Sequence, residues 1–126
     1  MNTCKEADVD VAEAVDTLLR GYQEEAGLYT VVRNLTLSQH RTLRTNRDLM
    51  RFSDLLDEKE DLLQLIDQIE QDLEPAKSTV LGNESPDQDG RRRLAGTLDQ
   101  VTDLIEEIRI LEARNAGMLD MVSAAR

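Results

Sequence analysis

The segment RDLMRFSDLLDEKEDLLQLIDQIEQDLE, residues 47–74, is rich in leucine, isoleucine and carboxylates. Its apolar residues recur at alternating intervals of three and four, which is the heptad period of helices that pack side by side. The residues of this seam, continued beyond the segment, are Phe52, Leu55, Leu62, Ile66, Ile69, Leu73, Ala76 and Val80. Lys59 occupies one seam position, and Leu56 and Leu63 lie directly beside the seam. The pattern predicts a long amphipathic helix over 48–81.

Two residues bear on where this helix begins and how it continues. Asp48 is placed to accept a hydrogen bond from the first turn and so to cap the helix. Pro75 lies inside the predicted span, where it removes a backbone donor and crowds the preceding turn. We therefore expect either a kink at Pro75 or an end of the helix near Leu73.

Two further heptad runs flank this helix. The residues of the first run are Val11, Val15, Leu18, Tyr22, Tyr29, Val32 and Thr36, and those of the second are Leu94, Leu98, Val101, Leu104, Ile108, Leu111, Asn115, Met118 and Val122. Glu25 interrupts the first run. The runs predict helices over 5–44 and 92–124, and the crowding of Gly, Asn, Ser, Pro and Asp predicts a linker over 82–91.

Three helices of similar length, joined by short connections, predict an all-α fold. Short connections make consecutive helices antiparallel, and the shared 3.5-residue period favours shallow crossing angles. The expected architecture is an elongated antiparallel three-helix bundle, a helical coiled coil, formed by one domain over 1–126. The side chains expected in its core are Val15, Leu18, Val32, Leu55, Leu62, Ile66, Ile69, Val101, Leu104, Ile108 and Leu111.

The acidic residues of the opening segment suggest a solvated face and no metal site. Nine carboxylates lie between Asp54 and Glu74, against one cation. A di-iron bundle takes Glu-x-x-His pairs from two helices, and this chain has one histidine, His40. Residues 85–96 carry Arg91 and Arg92 where a calcium loop needs an oxygen ligand and a glycine. We therefore predict no metal and no cofactor, and an acidic face that keeps a thin bundle soluble.

Composition excludes several classes of function. The net charge of −11 opposes binding to nucleic acid or to an anionic membrane surface. The chain has no phosphate-binding glycine loop, no nucleophile elbow and no His-Cys pairing, so we expect no enzyme activity. The single cysteine, Cys4, fits a reducing compartment, and no apolar run approaches the roughly 20 residues of a membrane span. A cytoplasmic protein without membrane insertion is the expectation.

Basic residues gather around the end of the first helix. They are Arg33, Arg41, Arg44, Arg47 and Arg51, and Asp48 is the one acidic residue among them. Few aromatic residues accompany them, so a base-stacking platform for nucleic acid is not indicated. We expect these arginines to pair with the acidic helices.

The end of the third helix carries more apolar residues than one neighbouring helix can cover. Within LEARNAGMLDMVSAAR, residues 111–126, Met118, Leu119, Met121 and Val122 form a flexible apolar end suited to helix-in-groove recognition. Self-association through the same face explains the pattern equally well. Both interpretations stay open at this point.

Two segments carry a resemblance to a known family. LRTNRDLMRFSDLLDEKEDLLQLIDQIE, residues 43–70, resembles the part of FlgN-type flagellar export chaperones in which a turn ending in Asp leads into a helix with a double-leucine, Lys-Glu, double-leucine pattern. LIEEIRILEARNAGML, residues 104–119, is similar to the closing helix of that family, in which a Leu-Glu-x-x-Asn step precedes apolar residues. The resemblance spans about residues 12–122.

The resemblance implies a cytoplasmic chaperone of bacterial flagellum biogenesis. Such proteins bind an amphipathic C-terminal segment of hook-filament junction proteins and deliver it to the gate of the type III protein export system. A tyrosine near the C-terminus contributes to gate docking in the family, whereas the tyrosines here are Tyr22 and Tyr29. The expected partner-binding residues are Leu111, Asn115, Met118, Leu119, Met121 and Val122. A non-catalytic coiled-coil adaptor or a self-associating structural bundle, a possible homo-oligomer, is the alternative.

Overall fold

The computed structural model describes residues 3–45, 47–82 and 88–124, with side chains from residue 10 onward. Three helices make up the chain, α1 over Thr3–Thr45, α2 over Leu49–Leu81 and α3 over Gln88–Ala124, and the described ranges contain no strand. The predicted all-α three-helix fold is confirmed. α3 begins four residues before the predicted position 92, because Asp89 places a favourable carboxylate in its first turn. Residues 83–87 of the expected linker lie outside the described residues.

α1 is the central helix. α2 and α3 each pack along it, whereas no Cα atom of α2 lies within 8 Å of one of α3 in the described ranges. α2 runs antiparallel to α1, since Gln39 contacts Lys59 while Tyr22 lies beneath Lys77. α3 runs parallel to α1, as hydrogen bonds from the later residues of α1 to the later residues of α3 show. The bundle is therefore not a closed triangle of mutually packed helices.

The core follows the predicted seam along α1. The predicted core residues that are buried are Val15, Leu18, Val32, Leu55, Ile66, Val101, Leu104 and Leu111, whereas Leu62, Ile69 and Ile108 are half-buried. Gly21 leaves room for Leu73 of α2, because a Cβ atom there would lie 2.7 Å from both methyl carbons of Leu73. Leu18, Tyr22, Leu73 and Leu94 form one apolar cluster at this level.

The start and the middle of α2 settle two expectations. Asp48 caps the helix as predicted, because its side chain accepts a hydrogen bond of 3.0 Å from the backbone N–H of Arg51. Arg47 before it takes a left-handed backbone conformation with φ of 52°, and its N–H donates to the carbonyl of Thr42. The helix continues through Pro75 to Leu81, so the alternative of an end near Leu73 is wrong.

Candidate functional site

The main candidate site is the groove between α2 and α3. Where Lys59 of α2 approaches Glu112 of α3, a cavity of about 160 Å³ opens above α1. Its lining residues are Gln39, Phe52, Leu56, Lys59, Glu112, Asn115, Ala116 and Leu119. The cavity shows which face of each outer helix looks into the groove.

The heptad period extends these faces along the groove. Leu63 lies one heptad after Leu56 on α2, and Ile105 and Leu98 lie two and three heptads before Leu119 on α3. Residues seven apart share one face of a helix that packs in this way. Leu56 and Leu63 are each 40% exposed, Leu98 is 36% exposed and Ile105 is 43% exposed. We call the surface formed by Leu56, Leu63, Leu98, Ile105 and Leu119 the α2–α3 groove.

Buried polar side chains hold the three helices in register at one level of the groove. Lys59 is 3% exposed, and its Nζ donates to Gln39 Oε1 at 2.7 Å and to Glu112 Oε1 at 2.5 Å. Gln39 Nε2 in turn donates to the carbonyl of Phe52 at 3.2 Å. A buried ammonium group is tolerated only with such partners, and helices slid out of register would lose them. The network therefore specifies how α2 and α3 align on α1.

Asn115 fastens α3 to α1 beside this network. Its Nδ2 donates to the carbonyl of Thr36 at 3.1 Å, and its Oδ1 lies 3.1 Å from His40 Nδ1. The asparagine is 4% exposed, so these hydrogen bonds lie inside the bundle. A hydrogen-bonding role for Asn115 at the seam is typical of a residue that sets helix register.

Two carboxyl groups lie together nearer the start of α1, the buried Glu25 of α1 and the half-buried Glu70 of α2. Glu25 is 1% exposed, and its pKa is raised to about 8 by burial, by its hydrogen bond with Glu70 and by the negative charge of Glu70. Burial would also raise the pKa of Glu70, but hydrogen bonds from Lys77 and Glu25 lower it below the ordinary value. Lys77 pairs with Glu70 and lies 6.0 Å from the centre of the Tyr22 ring. Glu25 is therefore protonated near neutral pH and donates to an ionised Glu70.

A second cavity lies at the other side of α3, where α1 and α3 end. It measures about 270 Å³, and its lining residues are Leu43, Arg44, Arg47, Met118, Met121 and Val122. This volume lies below the roughly 300 Å³ at which small-molecule sites begin. We call it the end cavity.

The structure divides the six residues predicted to bind a partner. Leu111 and Asn115 are buried against α1, and Leu119 lines the α2–α3 groove. The other three, Met118, Met121 and Val122, line the end cavity. α3 thus separates two surfaces that were predicted as one. The exposed groove residues Leu56, Leu63, Leu98 and Ile105 were absent from that prediction, although their heptad spacing is visible in the sequence. Leu98 was predicted as a seam residue and is instead exposed.

The expected pairing of the basic cluster holds for one of its five arginines. Arg33 lies 3.5 Å from Glu107. The remaining four arginines form no ion pair within the described residues: Arg41, Arg44, Arg47 and Arg51. The pairing prediction is wrong for these four arginines.

In the described part of the chain, no three His, Cys, Asp or Glu side chains are grouped so that they could hold a metal ion, and no helix there has the length and hydropathy of a membrane span. No known protein family, curated protein or solved structure matches the chain.

Proposed function

We propose that this chain is a non-catalytic chaperone of flagellar type III export whose α2–α3 groove receives an amphipathic helix. The helix would come from the C-terminal segment of a hook-filament junction protein and would be delivered to the export gate. The observation that carries the proposal is a pair of exposed apolar rows, Leu56 and Leu63 on α2 and Leu98 and Ile105 on α3. These rows lie on either side of a gap, because the backbones of α2 and α3 do not touch.

A fourth helix is the natural occupant of such a groove. Helix-in-groove recognition uses apolar anchors at intervals of three, four and seven residues, and the rows of α2 and α3 repeat at seven. The groove offers branched aliphatic side chains and no catalytic grouping of the kind that acid-base chemistry needs. Covering these side chains would remove apolar surface from water at about 25 cal/mol per Å².

The flagellar part of the proposal is supported by the two family-like segments. The double-leucine, Lys-Glu, double-leucine pattern supplies Leu56, Lys59 and Leu63, which lie at the groove or in its register network. The Leu-Glu-x-x-Asn step supplies Glu112, which accepts from Lys59, and Asn115, which donates to the Thr36 carbonyl of α1. Both segments that carry the resemblance therefore converge on one level of the bundle.

Calorimetry with the C-terminal segment of a hook-filament junction protein tests the proposal. A Leu63→Glu, Ile105→Glu variant should bind at least about tenfold more weakly, a loss of about 1.4 kcal/mol. The matched control is Leu65→Glu, Ile110→Glu, because these residues are 54% and 47% exposed and lie on other faces of the same helices. The control should bind like the original chain, and all variants should keep their helical circular-dichroism signal.

Three outcomes separate the alternatives. Undiminished affinity in the groove variant, or no binding of the segment by the original chain, would reject the proposal. Sedimentation showing a dimer that dissociates in the groove variant would instead support the self-associating bundle. Single variants Leu119→Asp and Met118→Asp separate the two surfaces of α3, and we expect the first to weaken binding and the second to leave it unchanged.

A further inference from the structure

The two edges of the α2–α3 groove differ in charge. Four residues beyond Leu56 and Leu63 on α2 stand Glu60 and Asp67, both exposed. Residues four apart lie one above the other on a helix with a small rotation, so these carboxylates line the outer edge of the apolar row. Neither carboxylate forms an ion pair within the described residues.

The corresponding edge of α3 is neutral. Four residues after Leu98, Ile105 and Glu112 come Thr102, Arg109 and Ala116. Arg109 is the one charged residue on this edge, and Glu106 neutralises it at a distance of 2.8 Å. The α2 edge is therefore acidic and unneutralised, whereas the α3 edge carries no net charge.

We propose that the occupant of the α2–α3 groove is an amphipathic helix with basic residues along the one edge that faces α2. This inference rests on the proposed function for the existence of a helical partner and adds the chemistry of that partner. An acidic edge beside an apolar groove repels a helix with acidic flanks and attracts one with lysine or arginine flanks.

The asymmetry also selects the direction of the bound helix. The apolar side chains of the partner must face α1, so a helix with its basic residues along one edge can bring that edge to α2 in one direction only. Turning the helix end for end would bring the basic edge to the neutral side of α3. The charge pattern therefore sets the direction of the bound helix as well as the preference for a basic edge.

Two synthetic helical peptides test this inference without any natural partner. They share one leucine face at heptad spacing and differ along one edge, which carries lysine in the first peptide and glutamate in the second. Fluorescence anisotropy at low salt should show about tenfold tighter binding of the lysine-edged peptide to the original chain, because several exposed ion pairs of modest strength act together. The preference should shrink at high salt, where exposed charges are screened.

Reversal of charge on the α2 edge provides the decisive comparison. A Glu60→Lys, Asp67→Lys variant should prefer the glutamate-edged peptide, whereas Asp54→Lys, Asp61→Lys should keep the original preference. The control changes the net charge by the same amount at exposed positions on the far face of α2. Equal effects of the two variants would show a response to net charge alone and would overturn the inference, as would equal affinity of both peptides for the original chain.

The two proposals fail in different ways. If the peptides show the expected preference and its reversal but the hook-junction segment does not bind, the groove chemistry stands and the flagellar function is rejected. If the segment binds through the groove and the peptides show no edge preference, the proposed function stands and the basic edge is rejected.

Discussion

The proton of Glu25 links single-residue chemistry to stability. Because burial and Glu70 raise the pKa of Glu25 from an ordinary 4.5 to about 8, the folded chain holds a proton that the unfolded chain releases between these values. Folding then takes up a proton, so the free energy of unfolding falls as pH rises through this window. The pKa of Glu70 is lowered, so its contribution has the opposite sign. That contribution reduces the free energy of unfolding only as pH falls below the ordinary pKa of a glutamate.

A Glu25→Gln variant isolates this contribution. Glutamine keeps a donor for Glu70 but does not titrate, so the fall in stability toward pH 8 should become smaller, by up to about 1.4 kcal/mol per pH unit. Urea unfolding of both proteins across the window measures the difference. Glu24→Gln, at an exposed neighbour, is the control. Parallel pH profiles for the original chain and Glu25→Gln would contradict the buried proton.

Two glycines of α1 offer a matched pair of substitutions. A Cβ atom at Gly27 meets nothing within 4 Å, so Gly27→Ala should raise the free energy of unfolding by about 0.5–1 kcal/mol through helix propensity alone. A Cβ atom at Gly21 meets the methyl groups of buried Leu73. The overpacking in Gly21→Ala should cost about 1–3 kcal/mol, which exceeds the gain from helix propensity. The melting temperature should therefore rise for Gly27→Ala and fall for Gly21→Ala. Stabilisation by both would show that Gly21 is not a packing residue.

At the scale of the helices, α2 combines a central packing row with an apolar row that no other helix covers. Leu55, Lys59, Ile66 and Leu73 are buried against α1, whereas Leu56 and Leu63 beside them are 40% exposed. A helix buried on one stripe needs only the first row. The exposed row of Leu56 and Leu63 distinguishes α2 from a helix that buries all its apolar residues within its own bundle.

Truncation of two seam isoleucines measures how tightly each outer helix packs. Ile66→Ala should cost about 2–5 kcal/mol because Ile66 is 2% exposed on α2. Ile108→Ala on α3 should cost less, since Ile108 is half-buried. Urea midpoints give both values. An unchanged midpoint for Ile66→Ala would refute the register of α2 on α1.

Pro75 interrupts the hydrogen bonds of α2 without ending it. The exposed Pro75 lacks a backbone donor, so Pro75→Ala should restore a hydrogen bond of about 0.5–1.5 kcal/mol and raise the melting temperature. Circular dichroism during thermal unfolding measures the effect. A lower melting temperature would contradict this prediction and would mean that Pro75 stabilises the fold.

For the whole molecule, the sequence predicts the helices more fully than their arrangement. Heptad spacing identifies the seam positions, including those of the polar residues Lys59 and Asn115. Both residues are buried there because they form hydrogen bonds inside the bundle. The period does not reveal that α1 is central, since any of three similar stripes can face two neighbours. That arrangement decides that Leu111 is covered and Ile105 is open.

The predicted partner-binding surface also depended on an arrangement of helices that heptad spacing does not reveal. Apolar excess at the end of α3 pointed to Met118 and Leu119 together, but these side chains line different cavities, the end cavity and the groove. Leu98 and Ile105 carry an equally visible signal that becomes informative only when α2 and α3 are known to be apart. The unpaired arginines at the end of α1 have no explanation in the fold.

A single introduced tryptophan can show whether a helix binds in the α2–α3 groove. The chain contains no tryptophan, so Leu63→Trp reports on the groove alone when the added hook-junction segment also lacks tryptophan. We expect the emission of Leu63→Trp to shift to shorter wavelength as the segment binds, while that of Leu65→Trp on another face of α2 stays unchanged. Unchanged emission of Leu63→Trp at saturating segment, or equal shifts at both positions, would contradict it.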